Sequence, residues 1–239
     1  MKPTRIRGVA AAAALALCSQ AQAAAVLFDG INDTATLLYT SMVDGATLSA
    51  TVKFTLTSWS ANTATFATIV TNNSAGPGQN ALLSFGIDVV TPALKSASTS
   101  AGSDWSASIG DNFPAFQKVD LCVWSGNGCS GGPVGDGLAE GMASSFDLVL
   151  KTNGGNDFTQ GITFTSPYSI KFQSVGTNEV SVEFAGCIAS QPGCGGGGGG
   201  AGGNNGNVPE PNALALIAVA ALAAGLSRRV LTRPLRSAA

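Results

Sequence analysis

The chain contains no histidine, and charged residues make up only 11% of its 239 positions. Without histidine, Ser-His-Asp and Cys-His nucleophilic machinery and histidine-ligated metal sites are excluded. An ordinary globular domain carries about a quarter charged residues, so this scarcity argues against a typical cytosolic enzyme. Aromatic residues are also few, at 7%, with two tyrosines and three tryptophans. What the chain has instead is 31 glycines and an apolar fraction of 45%. Its length accommodates one large all-β domain or two small ones.

The longest apolar runs lie at the two ends. Lys2, Arg5 and Arg7 precede an uncharged stretch from Gly8 to Leu17, and Ala21 and Ala23 follow. A cationic start, about ten apolar residues and a small-x-small site form a secretory signal peptide. Cleavage is expected before Ala24, which makes residues 1–23 a leader. Cys18 follows Leu17 rather than a small residue, so lipidation is disfavoured and Cys18 leaves with the leader. Near the other end, Ala213 to Leu226 is apolar and is followed by Arg228, Arg229, Arg233 and Arg236. As a helix this run rises only about 21 Å against a hydrocarbon core of about 30 Å, a marginal anchor. Its arginines are expected to stay on the cytoplasmic side, holding the rest of the chain outside. Residues 195–207 are glycine and asparagine apart from Ala201, a composition that cannot offset its ordering entropy and reads as a spacer.

Residues 24–194 form the body. From Ala46 to Thr57 every even position is apolar and every odd one is Thr, Ser or Lys, the pattern of a half-buried antiparallel strand. Asp44-Gly45 before it predicts a hairpin with Thr36–Tyr39. Further strands are expected at 63–71, 82–90, 118–124, 145–151, 161–165, 168–174 and 179–184, with Leu83, Phe85, Ile87 and Val89 sharing one face. About nine short strands without a helical period predict an all-β fold, an antiparallel β-sandwich of jelly-roll or Ig-like type, with a barrel as competitor.

Four cysteines survive leader cleavage, in two pairs of equal spacing, Cys122-x6-Cys129 and Cys187-x6-Cys194. In an exported chain an even count reads as disulfides, and of the three connectivities the two local bridges are preferred. A tetrathiolate zinc site prefers two to four residues within each pair, so no metal is expected there.

Other motifs carry less chemistry than their spelling suggests. Gly126-Asn127-Gly128-Cys129-Ser130-Gly131 spells a dinucleotide fingerprint, but Gly132-Pro133 follows where a helix must begin. No cofactor is expected. Carboxylates such as Asp88, Asp120, Glu179 and Glu183 suffice in number for glycan hydrolysis, yet no spacing singles out a pair. Residues 153–157 and Gly110-Asp111-Asn112 offer oxygens to calcium without matching its loop, and read as turns. Trp59, Trp105 and Trp124 would form a sugar-stacking platform if exposed, but tryptophans of a β domain more often fill the core.

Val208-Pro209-Glu210-Pro211, followed by the apolar run and the arginines, resembles the PEP-CTERM sorting signal. The matching residues are Val208, Pro209, Glu210, Pro211, Arg228 and Arg229, within a tail of residues 208–239. The resemblance implies that an exosortase in the inner membrane of a Gram-negative bacterium removes this tail. The protein then moves to the cell surface or extracellular matrix. The segment from Val119 to Leu138, with Cys122, Cys129 and many glycines, is similar to one in the cistern subfamily of these proteins. Expected processing partners are signal peptidase and the exosortase, with transient anchoring in the inner membrane. The expected role is non-enzymatic: structural or adhesive, in biofilm or exopolysaccharide. A carbohydrate-binding module for exopolysaccharide is the alternative, and a glycan hydrolase stands behind it.

The formal net charge of −2 averages over segments with different fates. Residues 24–207 hold five lysines (Lys53, Lys95, Lys118, Lys151, Lys171) against thirteen acids, a net −8, and all arginines lie outside them. An acidic mature chain disfavours nucleic acid as a partner.

Overall fold

The computed structural model describes residues 25–154 and 157–194. The leader with Ala21, Ala23 and Ala24 lies outside the described residues. So do the spacer 195–207 and the tail with Val208, Pro209, Glu210, Pro211, Arg228 and Arg229. The expected helix over 213–226 lies outside them as well; among the described residues no helix is long and apolar enough to cross a membrane.

In chain order, β1 spans Ala25–Phe28, β2 Thr34–Val43, β3 Ala46–Trp59, β4 Thr63–Asn72 and β5 Gly78–Thr91. Short strands follow: β6 (Leu94–Thr99), β7 (Ser106–Ile109), β8 (Asn112–Phe113), β9 (Gln117–Lys118) and β10 (Leu121–Trp124). The last are β11 (Ala143–Thr152), β12 (Ile162–Val175), β13 (Val180–Ala185) and β14 (Cys187–Ile188). The result is the expected all-β sandwich of antiparallel sheets. One sheet has the order β1-β12-β5-β10-β7, with β13 also paired to β12; the other runs β14-β2-β3-β4-β11-β6. β8 and β9 make a separate hairpin.

The alternation of β3 is realised residue by residue: Ala46, Leu48, Ala50, Val52, Phe54 and Leu56 are all buried, and their neighbours face outward. Asp44 and Gly45 form the two-residue turn between Val43 and Ala46, both with positive φ, the geometry that matches strand twist. Phe54 and Phe66 from one sheet meet Phe28 and Phe164 from the other, with ring centroids 5.0 to 6.3 Å apart. These edge-on and tilted contacts are favoured by aromatic quadrupoles.

Several sequence expectations are corrected. The two strands expected at 161–165 and 168–174 are one strand, β12, whose pairing with β5 slips between Thr165 and Ser169. Pro167 falls in that slip, where its missing N–H removes no ladder bond. The strand expected at 118–124 divides into β9 and β10. β1, β6, β7, β8 and β14 were not anticipated, being short and lacking an alternating pattern. Leu83 does not share a face with Phe85. Phe172 pairs with Leu82 and Lys171 with Ser84, so Leu83 is skipped by the ladder. Leu82 joins the main core in its place.

Two crossings close the sides of the sandwich. The chain passes from β6, paired to β11, into β7, paired to β10 in the opposite sheet. It passes back from β13 to β14, with the Gly186 N–H donating to the Tyr168 carbonyl and the Ala189 N–H to that of Thr36.

Candidate functional site

The outer face of the β5–β12 sheet is covered, and the covering is the Cys-Gly-rich segment. Phe113, Val119, Cys122 and Cys129 form a second small core, with Phe116 and Trp124 packed on it. Gly86, in mid-strand, makes this possible. A Cβ there would come 2.5 Å from Ser169 Oγ, 3.0 Å from Phe113 and 3.1 Å from Val119. Cys122 and Cys129 are bridged with Cα atoms 6.0 Å apart, inside the range a disulfide requires. The loop they close is tied to β5 on both sides. Ser84 Oγ donates to the Cys129 carbonyl at 2.9 Å, the Ser125 N–H to the Leu83 carbonyl at 2.9 Å, and Leu82 and Leu138 exchange backbone bonds. Gly131 and Gly137 rest on Leu83, which accounts for the burial of a side chain the main core does not hold. The loop with the dinucleotide-like spelling is therefore a lid on a sheet, followed only by a one-turn 3-10 helix, Val134–Asp136.

Beneath this loop lies Lys171, 4% exposed. Its ammonium pairs with Glu183, directly across the strand ladder on β13, and donates to Ser181 Oγ at 2.8 Å. A Cβ on Gly131 would stand 2.8 Å from Lys171 Cε, so the loop can lie this close only with glycine there. Beside the pair opens a recess of about 290 Å³ lined by Gln79, Val134, Gln173, Ser174, Glu179 and Ser181. The 3-10 turn supplies one wall, the start of β13 the other, and the end of β12 the floor. Ser174 stands where the β12–β5 pairing slips again, with φ of 52°, and its buried hydroxyl has no hydrogen-bond partner.

Two further polar clusters are explained by architecture. Asn72, fully buried, donates to the carbonyls of Asn80 and Leu138 and accepts from the Ser74 N–H, tying the end of β4 to the start of β5. Asp44 accepts from the Thr177 hydroxyl and from the backbone and side chain of Asn178, clasping the β2–β3 turn to the β12–β13 turn. Those bonds, the Asn178 N–H foremost, hold its carboxyl below the ordinary aspartate range.

Trp105 is in the core, stacked on Phe146 at 5.6 Å and 5.9 Å from Phe85; Trp59 packs partly buried on that core and Trp124 on the second one. The three do not assemble a platform. Asp88 and Asp120 are brought together, but as staples: the Val89 N–H donates to Asp120 at 3.0 Å and the Asp120 N–H to Asp88 at 3.3 Å. Burial pushes the Asp88 carboxyl up; the Asp120 N–H opposes this and the Asp120 charge adds to it. Asp111 accepts from Ser108 within its turn. Of residues 153–157, Asp157 caps the 3-10 turn Phe158–Gln160 through the Thr159 N–H, while Gly155 and Asn156 lie outside the described residues. Among the described residues no group of three or more acids and cysteines is placed to hold a metal. Cys187 and Cys194, with Cα atoms 5.8 Å apart, are bridged where the described body ends.

The recess was not legible in the sequence, because its lining comes from three separate stretches of chain and contains no motif. No protein-family model, no curated protein and no solved structure matches the chain.

Proposed function

We propose that the protein is an exported, exosortase-processed component of the cell surface or extracellular matrix, with a structural or adhesive rather than enzymatic role. The observation that carries this reading is the order of parts toward the C-terminus. A disulfide-pinned body ends at Cys194, a glycine spacer follows, and then come Val208-Pro209-Glu210-Pro211, an uncharged run and terminal arginines. Each part has a physical task in that reading. The spacer keeps the rigid body off the membrane. The two prolines keep the backbone extended where an enzyme takes hold of it. The arginines hold the end of the tail inside. Two disulfides suit an oxidising compartment.

Mass spectrometry of the surface form from its native host tests the proposal. The expected product lacks residues 1–23 and the apolar tail; an intact C-terminus on the surface form overturns it. Replacing Val208–Pro211 with alanines is expected to leave the protein in the membrane fraction.

A further inference from the structure

Among the described residues no second layer lies on the outward face of β2, β3, β4 and β11, unlike that of β5 and β12. This face is poor in charge. Lys53, Asp147 and Lys151 are the only charged residues of its four strands, and threonine and serine predominate at the outward positions of β2, β3 and β4. Near its middle, on β4, Ile69 is 45% exposed. An apolar centre within a charge-depleted, hydroxyl-rich surround is the anatomy of an interface.

The few charges narrow the occupant. Lys53 stands across the ladder from Ile69 on one side of β4, and Asp147 across from Ala67 on the other. Both are exposed, and neither has an ion-pair partner among the described residues. Two strand spacings, about 10 Å, keep them from meeting within one chain. A second copy related by a two-fold axis along β4 exchanges left and right. It sets Lys53 of each copy over β11 of the other, next to Asp147, and Ile69 against its own counterpart. A neutral glycan would make no use of these charges, and an anionic one would meet Asp147. Size agrees as well. With strands ~4.8 Å apart and ~3.4 Å per residue, β2, β3, β4, β11 and β6 present about 700 Å², close to the roughly 800 Å² per partner of a standard interface. Short hydroxyl side chains let two such faces interdigitate at the usual sheet-to-sheet distance.

We infer that this face is a homophilic interface, through which two copies pair about a two-fold axis along β4. Ile69 is at its centre, and Lys53 and Asp147 join across it twice. A two-fold contact closes on itself, so the pair is a dimer and not a filament. The covered sheets, with their disulfide loops, face outward from it.

Sedimentation velocity on the exported protein, from about 1 μM to about 1 mM, tests the assignment, and a shift from one copy to two is expected within that range. Ile69→Asp sets two carboxylates against each other at the centre, and is expected to weaken pairing by about tenfold or more at unchanged melting temperature of the dilute protein. Lys53→Asp brings a like charge to Asp147 of the other copy and is expected to weaken pairing by about tenfold; adding Asp147→Lys is expected to restore it to within about threefold. A monomer at every concentration overturns the assignment and leaves the face to another occupant, such as a neutral glycan. Pairing untouched by Ile69→Asp overturns it too, by putting the interface elsewhere. So does a charge swap that fails to restore pairing. None of these failures bears on the sorting reading, which rests on the mass of the processed chain.

Discussion

Along β3, Thr47, Ser49, Thr51, Lys53 and Thr55 look outward from a sheet whose other face is core. Along β5, every residue from Asn80 to Ile87 is buried, because the main core lies on one face and the second core with its disulfide loop on the other. The two sheets share inner partners, Phe54 against Phe164 and Phe85, yet differ in how they meet the outside. The contrast teaches what a covered sheet requires of its sequence. Its outward positions include Ser84, Gly86 and Ser169, small enough to admit a layer of loop, where the open sheet uses threonine. It also carries the Lys171–Glu183 ion pair, whose ammonium the covering loop shields from solvent.

The largest effects are expected where the two sheets do not differ. Phe54→Ala and Phe164→Ala empty the same aromatic cluster from opposite sides, and each is expected to cost about 3–5 kcal/mol in denaturant unfolding. A loss confined to one of them would show that the sheets do not share a single core.

Next comes the disulfide over the covered sheet. Replacing Cys122 and Cys129 together by alanine is expected to cost about 2–3 kcal/mol, as a short closed loop is released in the unfolded chain. Hydrogen exchange should then rise at Leu82, Ser125 and Leu138, whose N–H groups donate in the bonds between this segment and β5, while β3 and β4 keep their protection.

The outer faces themselves give a smaller and sharper test. Gly86→Ala must displace Phe113, Val119 or the Ser169 hydroxyl, and is expected to cost about 1–3 kcal/mol. Thr51→Ala on the open face should stay within about 0.5 kcal/mol. Equal costs would mean that the second core contributes no packing.

The smallest effects concern two aspartates of opposite sign, read as melting temperature against pH. Asp44 has its folded pKa depressed, so its contribution is present above the ordinary aspartate value and is lost as pH falls through the folded one. Asp44→Asn should therefore lower the melting temperature at neutral pH and converge with the parent in acid. Asp88 has its folded pKa raised, so its ionisation opposes folding once pH rises through that value. Asp88→Asn should raise the melting temperature slightly at neutral pH, with the gain vanishing in acid. Shifts of the same sign for both would contradict the environments described.

How much of this was legible follows from the same contrast. A sheet wet on one side imposes a period of two, so β3, β4 and β11 could be read directly, as could the Asp44-Gly45 turn. A strand buried on both sides loses that period, so the slip at Leu83 and the joining of two expected strands into β12 could not. The short strands β1 and β14 exist because a longer neighbour offers them an edge, β7 pairs with the equally short β10, and nothing local specifies them. The tryptophans were legible as residues and not as positions: the packing of Trp105 between Phe85 and Phe146 depends on β5 and β11 meeting the residue that precedes β7.

By itself the sequence determined the class of the fold and the existence of one β body between two terminal segments. Both follow from patterns local to a few residues, namely alternation, turn chemistry and uninterrupted apolar length. Tertiary structure alone decided that the glycine-rich cysteine segment would become the wall of a second core. It alone set Lys171 opposite Glu183, and gathered Gln79, Gln173, Ser174 and Ser181 around one recess. Those relations join residues from β5, β12 and β13, and only the closing of the sheets brings such distant stretches within hydrogen-bonding reach.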